Sequence, residues 1–321
     1  VFSARLLGYQ RSLLQYFTRK LDASDLRLLS IFPICKSVFL PQRAPALFGL
    51  GRIIIMRNLL LLAFKCHWRA HRSTSINFWS GIIGMIINNV LLLLGIWAML
   101  FAGKDHLNSQ KIYFFTINFV LMFAWGIFHI LFGGLALLAN LIHTGGLDRH
   151  MLSGRPIWLS VATLRSDLAC WGDIVIATCG FAVLFYYHGW LFAFGTILML
   201  AMATLALIFT YVAIGSLGFW ISRSGELNNV LINAFLAINS YPVLDPKSNH
   251  KVFMFLIPAL AAGMIPGEFL NTLLTPLAYP LVLKWIAYEG LGTAVIGAIA
   301  FALFHWGLKH YQSSPFYTGA Q

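Results

Sequence analysis

The stretch IYFFTINFVLMFAWGIFHILFGGLALLANLI, Ile112–Ile142, contains no Asp, Glu, Lys or Arg. About 20 apolar residues suffice for a helix to cross the hydrocarbon of a bilayer, and this run is longer. The rest of the chain agrees with it. Of 321 residues, 59% are hydrophobic and 10% charged, with a mean hydropathy of +0.79, whereas a soluble domain carries about 25% charged residues. Several such runs occur, and none shows the short alternating segments of a transmembrane barrel. Backbone polar groups in lipid must be satisfied within their own segment. The reading is therefore an all-α polytopic membrane protein.

Working outward from this run, the apolar segments predict six crossings. The first covers 78–101 and the second 112–142, which is long enough to project from the membrane. The third covers 168–187, and His188-Gly189-Trp190 makes a tight outer turn. The fourth covers 191–221. Residues 224–240 read as an amphipathic surface helix rather than a span. Leu227, Val230, Leu231, Ala234, Phe235 and Ile238 share one face, and Asn228, Asn229, Asn233 and Ser240 the other. Ser224 suits the N-cap, Glu226 the first turn, and Pro242 and Pro246 the stop. The fifth crossing starts near Val252 and is interrupted by Pro258, Pro266, Pro276 and Pro280. It reads as a span ending near Pro266 followed by a re-entrant outer element. The sixth covers 291–306.

The net charge of +12 in a soluble chain would suggest nucleic acid. Here its placement matters more. Residues 1–76 hold twelve Lys and Arg against Asp22 and Asp25, which predicts a cytoplasmic N-terminus and places basic groups near anionic headgroups. Six spans return the C-terminus to the same side. Residues 1–55 read as a basic extension outside the native chain, since Met56 is a natural start. Residues 56–310 read as the six-span transmembrane domain and 311–321 as a cytoplasmic tail. Met56 opens an interfacial helix whose Arg69, His71 and Arg72 sit at headgroup level.

Charged and polar groups inside spans mark transport paths by default. Asp173, about two turns into the third helix and near Arg165, is either a proton carrier or a carboxylate paired or packed near the interface. Glu268 faces either an outer vestibule or the exposed rim. Asn88, Asn89 and Asn118 either bond between helices or line a path. Gly133, Gly134, Gly215 and Gly218 read as close helix packing. His67 and His71 have a metal-compatible spacing beside Cys66 but no carboxylate, so no metal site is assigned. Cys35, Cys66, Cys170 and Cys179 form no C-x-x-C pair. No P-loop, H-E-x-x-H or G-x-S-x-G motif occurs, so the chain reads as a non-enzyme that needs no cofactor of its own.

The segments HRSTSINFW before the first span, GGLDRHMLSGRPIWL after the second, GFWISRSGEL closing the fourth, INSYPVLDP, and LIPALAAGMIP in the fifth occur in an order that resembles permease subunits of bacterial type-2 ABC exporters. They are most similar to the viologen-resistance-like branch of the ABC-2 family. The resemblance covers about 56–308. It implies six spans, an interfacial helix, re-entrant elements before the sixth span, and a cytoplasmic coupling helix between the second and third. It also implies a second permease and two ABC ATPase subunits as partners, ATP and Mg on those subunits, and residence in the bacterial inner membrane with both termini cytoplasmic. On this footing Gly145 and Gly146 break the second helix. Leu147, Met151 and Leu152 give an apolar edge beside Asp148, Arg149 and Ser153, and Pro156 ends the turn. Together they form a knob suited to a groove on an ATPase. The expected function is the permease of an ATP-driven exporter, and the aromatics and Met of the second and fifth spans point to an amphipathic cargo. The alternatives are an ion-coupled transporter or channel acting alone, and a membrane enzyme of lipid or glycan metabolism. The bilayer, not nucleic acid, is the other partner.

Overall fold

A computed structural model of the chain describes residues 61–70, 75–101, 108–153, 156–221, 224–240, 262–273 and 279–311. Helix α1 covers 61–70. It is followed by α2 (Ser75–Phe101), α3 (Asn108–Leu131), α4 (Leu138–His143), α5 (Leu147–Met151), α6 (Ile157–Ala162), α7 (Trp171–Ser216), α8 (Ser224–Ser240), α9 (Met264–Leu273) and α10 (Tyr279–His310). Among the described residues there is no strand.

Among the described residues five helices are long and apolar enough to cross a membrane: Ile76–Met99, Lys111–Leu131, Leu168–Trp190, Phe192–Phe219 and Leu283–His310. Tyr186, Tyr187 and Trp190 are exposed at one end of the bundle, and Trp79, Trp220 and Trp306 at the other. Such aromatic girdles sit at headgroup level. The expected fifth crossing, from Val252, falls largely outside the described residues, and the last helix begins at Tyr279 rather than near Leu291.

The expected turn at 188–190 is present. Gly189 takes φ 77° and ψ −170° inside α7, a left-handed conformation open to glycine. Gly126 of α3 abuts Ile174, while Phe128, half a turn on, stacks on Tyr211 at 4.1 Å. Residues 174 and 211 therefore share a level, and α7 is a hairpin. Its second arm packs parallel to α10, where Gly297 faces Phe209 and Gly307 faces Phe219. Phe114, Phe128, Leu138, Phe192, Met199 and Leu207 fill the fully buried centre.

Two expectations are corrected. The second apolar run is not one projecting helix. It stops at Leu131, tightens into a 3₁₀ turn at Gly133–Leu137 and resumes as α4. The cause is a remote segment that crosses here. A Cβ on Gly134 would fall on the Val161 carbonyl oxygen, and one on Gly133 would lie 3.1 Å from that of Arg165. The carbonyls freed by the break are not orphaned. Asp167 N–H donates to His129 O at 3.0 Å, and Ser166 Oγ to Ile130 O at 2.7 Å. A helix end in lipid needs such partners.

The second correction concerns α8, which does not lie across the end of the bundle. It starts beside α4 and the 217–219 turn. It ends where Asn118 Nδ2 donates to Ser240 O at 3.2 Å. Asn118 is ten residues beyond the start of α3 at Asn108, about 15 Å along its axis. From the same level α9 continues outward. Met264 N–H donates to Asn239 Oδ1 at 3.4 Å, and Phe269 and Leu273 reach Gly195 near the outer turn. The buried face of α8 is Asn228, Ile232, Phe235 and Asn239, while Val230 and Ile238 are exposed. The face is thus rotated from the expected one. Asn239 bonds back to Phe235 O at 3.0 Å, which lets the amide turn inward, and apolar residues turn out as lipid requires.

Candidate coupling surface

The knob begins with a backbone stop. Thr144 N–H and Oγ1 both donate to Asn140 O, at 2.9 Å and 2.8 Å. Gly145 then takes φ 71°, the left-handed position that ends helices. Gly146 leads into α5 without a side-chain cap. The expected apolar edge divides between two sides. Leu147 is 0% exposed and belongs to the protein's own core, whereas Met151 is 42% and Leu152 83% exposed. Arg149 is exposed beside them. Pro156 closes the turn and opens α6, whose Leu159 is buried and whose Trp158 is 40% exposed. The outward apolar atoms are therefore those of Met151, Leu152 and Trp158, with Leu147 as the inward anchor. Trp158 was missed by sequence reasoning because it lay beyond the stop expected at Pro156.

Polar contacts fix the knob. His150 is buried, and its Nδ1 lies 2.8 Å from Ser160 Oγ. Ser153 Oγ donates to His150 O at 2.7 Å. Burial, and secondarily Arg149, lower the His150 pKa below 6.5. Asp148 faces the Tyr311 hydroxyl, whose pKa is pushed up to about 12 by burial and by that carboxylate. Tyr311 also packs edge-on against Phe219 at 5.9 Å. The knob thus touches the ends of both α7 and α10.

A pH dependence follows. Because the folded pKa of His150 is depressed, its contribution to folding is complete above pH ~6.5. It is lost as the pH falls below that value toward the lowered pKa, since the unfolded state then binds more protons. Amide protection at 147–153, taken relative to the intrinsic exchange rate at each pH, should fall between pH 7.5 and 5.5 in the wild type more than in His150→Gln. Equal pH responses would refute the assignment.

The polar residues of the spans do not converge. Asn88 is exposed on α2. Asn89 is buried and donates through Nδ2 to Asp173 Oδ1. Asp173 therefore pairs across helices with Asn89, while Arg165 pairs instead with Asp167 at 3.7 Å. Asn118 bonds Phe114 O at 2.9 Å as well as Ser240 O. Glu268 is half-buried and faces Tyr113. Glu289 on α10 was missed. It is 0% exposed, and among the described residues neither carboxyl oxygen has a hydrogen-bond partner. Starting the last helix at Tyr279 instead of Leu291 would have revealed it as an intramembrane acid. His67, weighed for metal, instead bonds through Nε2 to Thr163 O at 3.1 Å; His71 lies outside the described residues.

Comparison with known families matches residues 83–315 to the model for ABC-2 family transporter proteins. No curated protein matches the chain, and no solved structure does. The match spans well over half of the sequence and includes the knob, the hairpin, the two half-length helices and the last span. The chain is a multi-pass membrane protein of the ABC-2 transporter family.

Proposed function

We propose that this chain is the permease subunit of an ATP-driven exporter in a bacterial inner membrane, working as a dimer with a second permease. ATP and Mg bind partner ATPase subunits rather than this chain. Both termini face the cytoplasm, as do α5 and α6. The observation that carries the reading is the knob itself, with Leu147 buried inward and Met151, Leu152 and Arg149 presented outward. An element anchored in the core and apolar at its tip can transmit a push. Through Tyr311 and Phe219 that push reaches the ends of α10 and α7. Cargo then moves along a path at the dimer interface, where the exposed Asn88 stands on α2. An amphipathic cargo fits a bundle with so few buried charges.

The test is co-expression with an ABC ATPase from the same genome, chosen for a gene adjacent to this one. Co-purification and hydrolysis stimulated by the permease are expected. Absence of both, with each protein folded, would overturn the reading.

The fully buried Glu289 favours one alternative, an ion-coupled carrier acting alone. Vesicles containing this chain without any ATPase separate the two. On the permease reading they show no gradient-driven uptake or release of an amphipathic dye. On the alternative they do, and Glu289→Gln abolishes it.

A further inference from the structure

Helix α1 precedes the residues matched by the family, yet it is firmly placed. His67 bonds Thr163 O, and Trp68 packs edge-on against Phe78 at 5.5 Å and Trp171 at 6.2 Å. Between α1 and the start of α7 lies an apolar groove of about 330 Å³, lined by Phe64, Lys65, Trp68, Arg69 and Trp171. Lys65 and Arg69 are both exposed. Their i, i+4 spacing sets the two cations one turn apart on the same rim. Among the described residues no carboxylate pairs with either, the one ion pair there being Arg165 with Asp167. The indole N–H of Trp171 is buried and has no acceptor among those residues, which is unusual for a tryptophan.

The groove sits where two spans begin, at Ile76 and Leu168, and so at the level of lipid headgroups. It offers an apolar wall, an unused donor and two cations in one place. We propose that it is a binding site for one acidic phospholipid. The headgroup phosphate lies between Lys65 and Arg69. An ester or phosphate oxygen accepts from Trp171 Nε1, and an acyl chain follows Phe64 and Trp68. The preceding chain is a poor occupant. Residues 1–55 carry eight Lys and Arg against two Asp, so they would bring like charge to this rim. A zwitterionic lipid brings its own cation and gains less from the pair. Occupancy would hold α1 against α6 and α7.

The experiment uses the full chain, purified in mild detergent and delipidated. Phosphatidylglycerol or phosphatidylcholine with the same acyl chains is added, and bound lipid is counted by native mass spectrometry alongside the melting temperature. The expected result is one retained phosphatidylglycerol, preferred at least about tenfold, since each basic side chain near a headgroup contributes on the order of 1 kcal/mol. Lys65→Gln with Arg69→Gln should bring the preference to about unity. Both side chains are exposed, so folding is not at risk. Trp171→Phe keeps a ring and removes the donor, and should weaken binding about tenfold. Lys309→Gln, exposed at the same end of the bundle, should change nothing. Equal retention of the two lipids by the wild type would overturn the proposal. So would a double variant that keeps its preference, or displacement of the lipid by equimolar glycerol phosphate, which would mark a free-anion site.

Discussion

Replacing Met151 and Leu152 together by Asp is expected to abolish ATPase recruitment while leaving the chain inserted and folded. Both side chains point away from the bundle, at 42% and 83% exposure, so the substitution removes nothing from the core. In a docked complex the same positions would be desolvated, and a carboxylate there would be buried without a partner. Anchors of this kind carry about 2 kcal/mol or more each, so the pair should weaken association about a hundredfold or more. Leu147 cannot serve for this experiment. It is 0% exposed, truncating such a leucine costs about 2–5 kcal/mol, and a charge in its place would unfold the knob. Arg149→Ala, which removes a forked donor without burying charge, should weaken recruitment less. Co-purification of the ATPase at matched expression reads all three. Full binding by the Met151→Asp, Leu152→Asp protein would mean that the loop is an ordinary connection and that coupling lies elsewhere.

How much of this was legible beforehand depends on whether the deciding partner was local. The membrane class, the hairpin at Gly189 and the break at Gly145 are set by neighbouring residues, and each was readable. The ends of α3 and α10 were not. Nothing near Gly133 and Gly134 distinguishes a glycine that lets two helices pack from one that lets a distant carbonyl cross, and the segment that decides is 161–167. For α8, the amphipathic reading assumed water on the polar side. In the bundle the buried face is rotated instead, with Asn228 and Asn239 buried and Val230 and Ile238 exposed, while Asn229 and Asn233 stay exposed. For the candidate site, Met151, Leu152 and Arg149 are exposed while Leu147, expected on the same apolar edge, is buried. On a five-residue helix the inward and outward residues are one position apart in phase, and only tertiary contact fixes which is which.

The break in α3 supplies the other large effect. Gly134→Ala is expected to prevent stable folding, because the added methyl would coincide with the Val161 carbonyl oxygen and lie within 2.9 Å of that of Ala162. Relief cannot come from a rotamer change, since the obstructing atoms are backbone. Either the 3₁₀ turn or the 161–167 segment must move. Moving that segment detaches Ser166 and Asp167 from Ile130 O and His129 O, leaving helix-end carbonyls unpaired at about 1–3 kcal/mol each. It also loosens Thr163, on which His67 of α1 is bonded, and α6, which backs the knob. Overpacking alone costs about 1–3 kcal/mol, so the total rivals the stability of a typical domain, about 5–15 kcal/mol. Gly84→Ala is the matched control. A Cβ there meets nothing within 4 Å, and alanine favours a helix interior over glycine by about 1 kcal/mol. In detergent, Gly84→Ala should keep or raise the melting temperature, and Gly134→Ala should lower it by ten degrees or more, roughly what several kcal/mol imply, or fail to accumulate. If the two variants melted together, the close crossing at Gly134 would not be what divides the second apolar run.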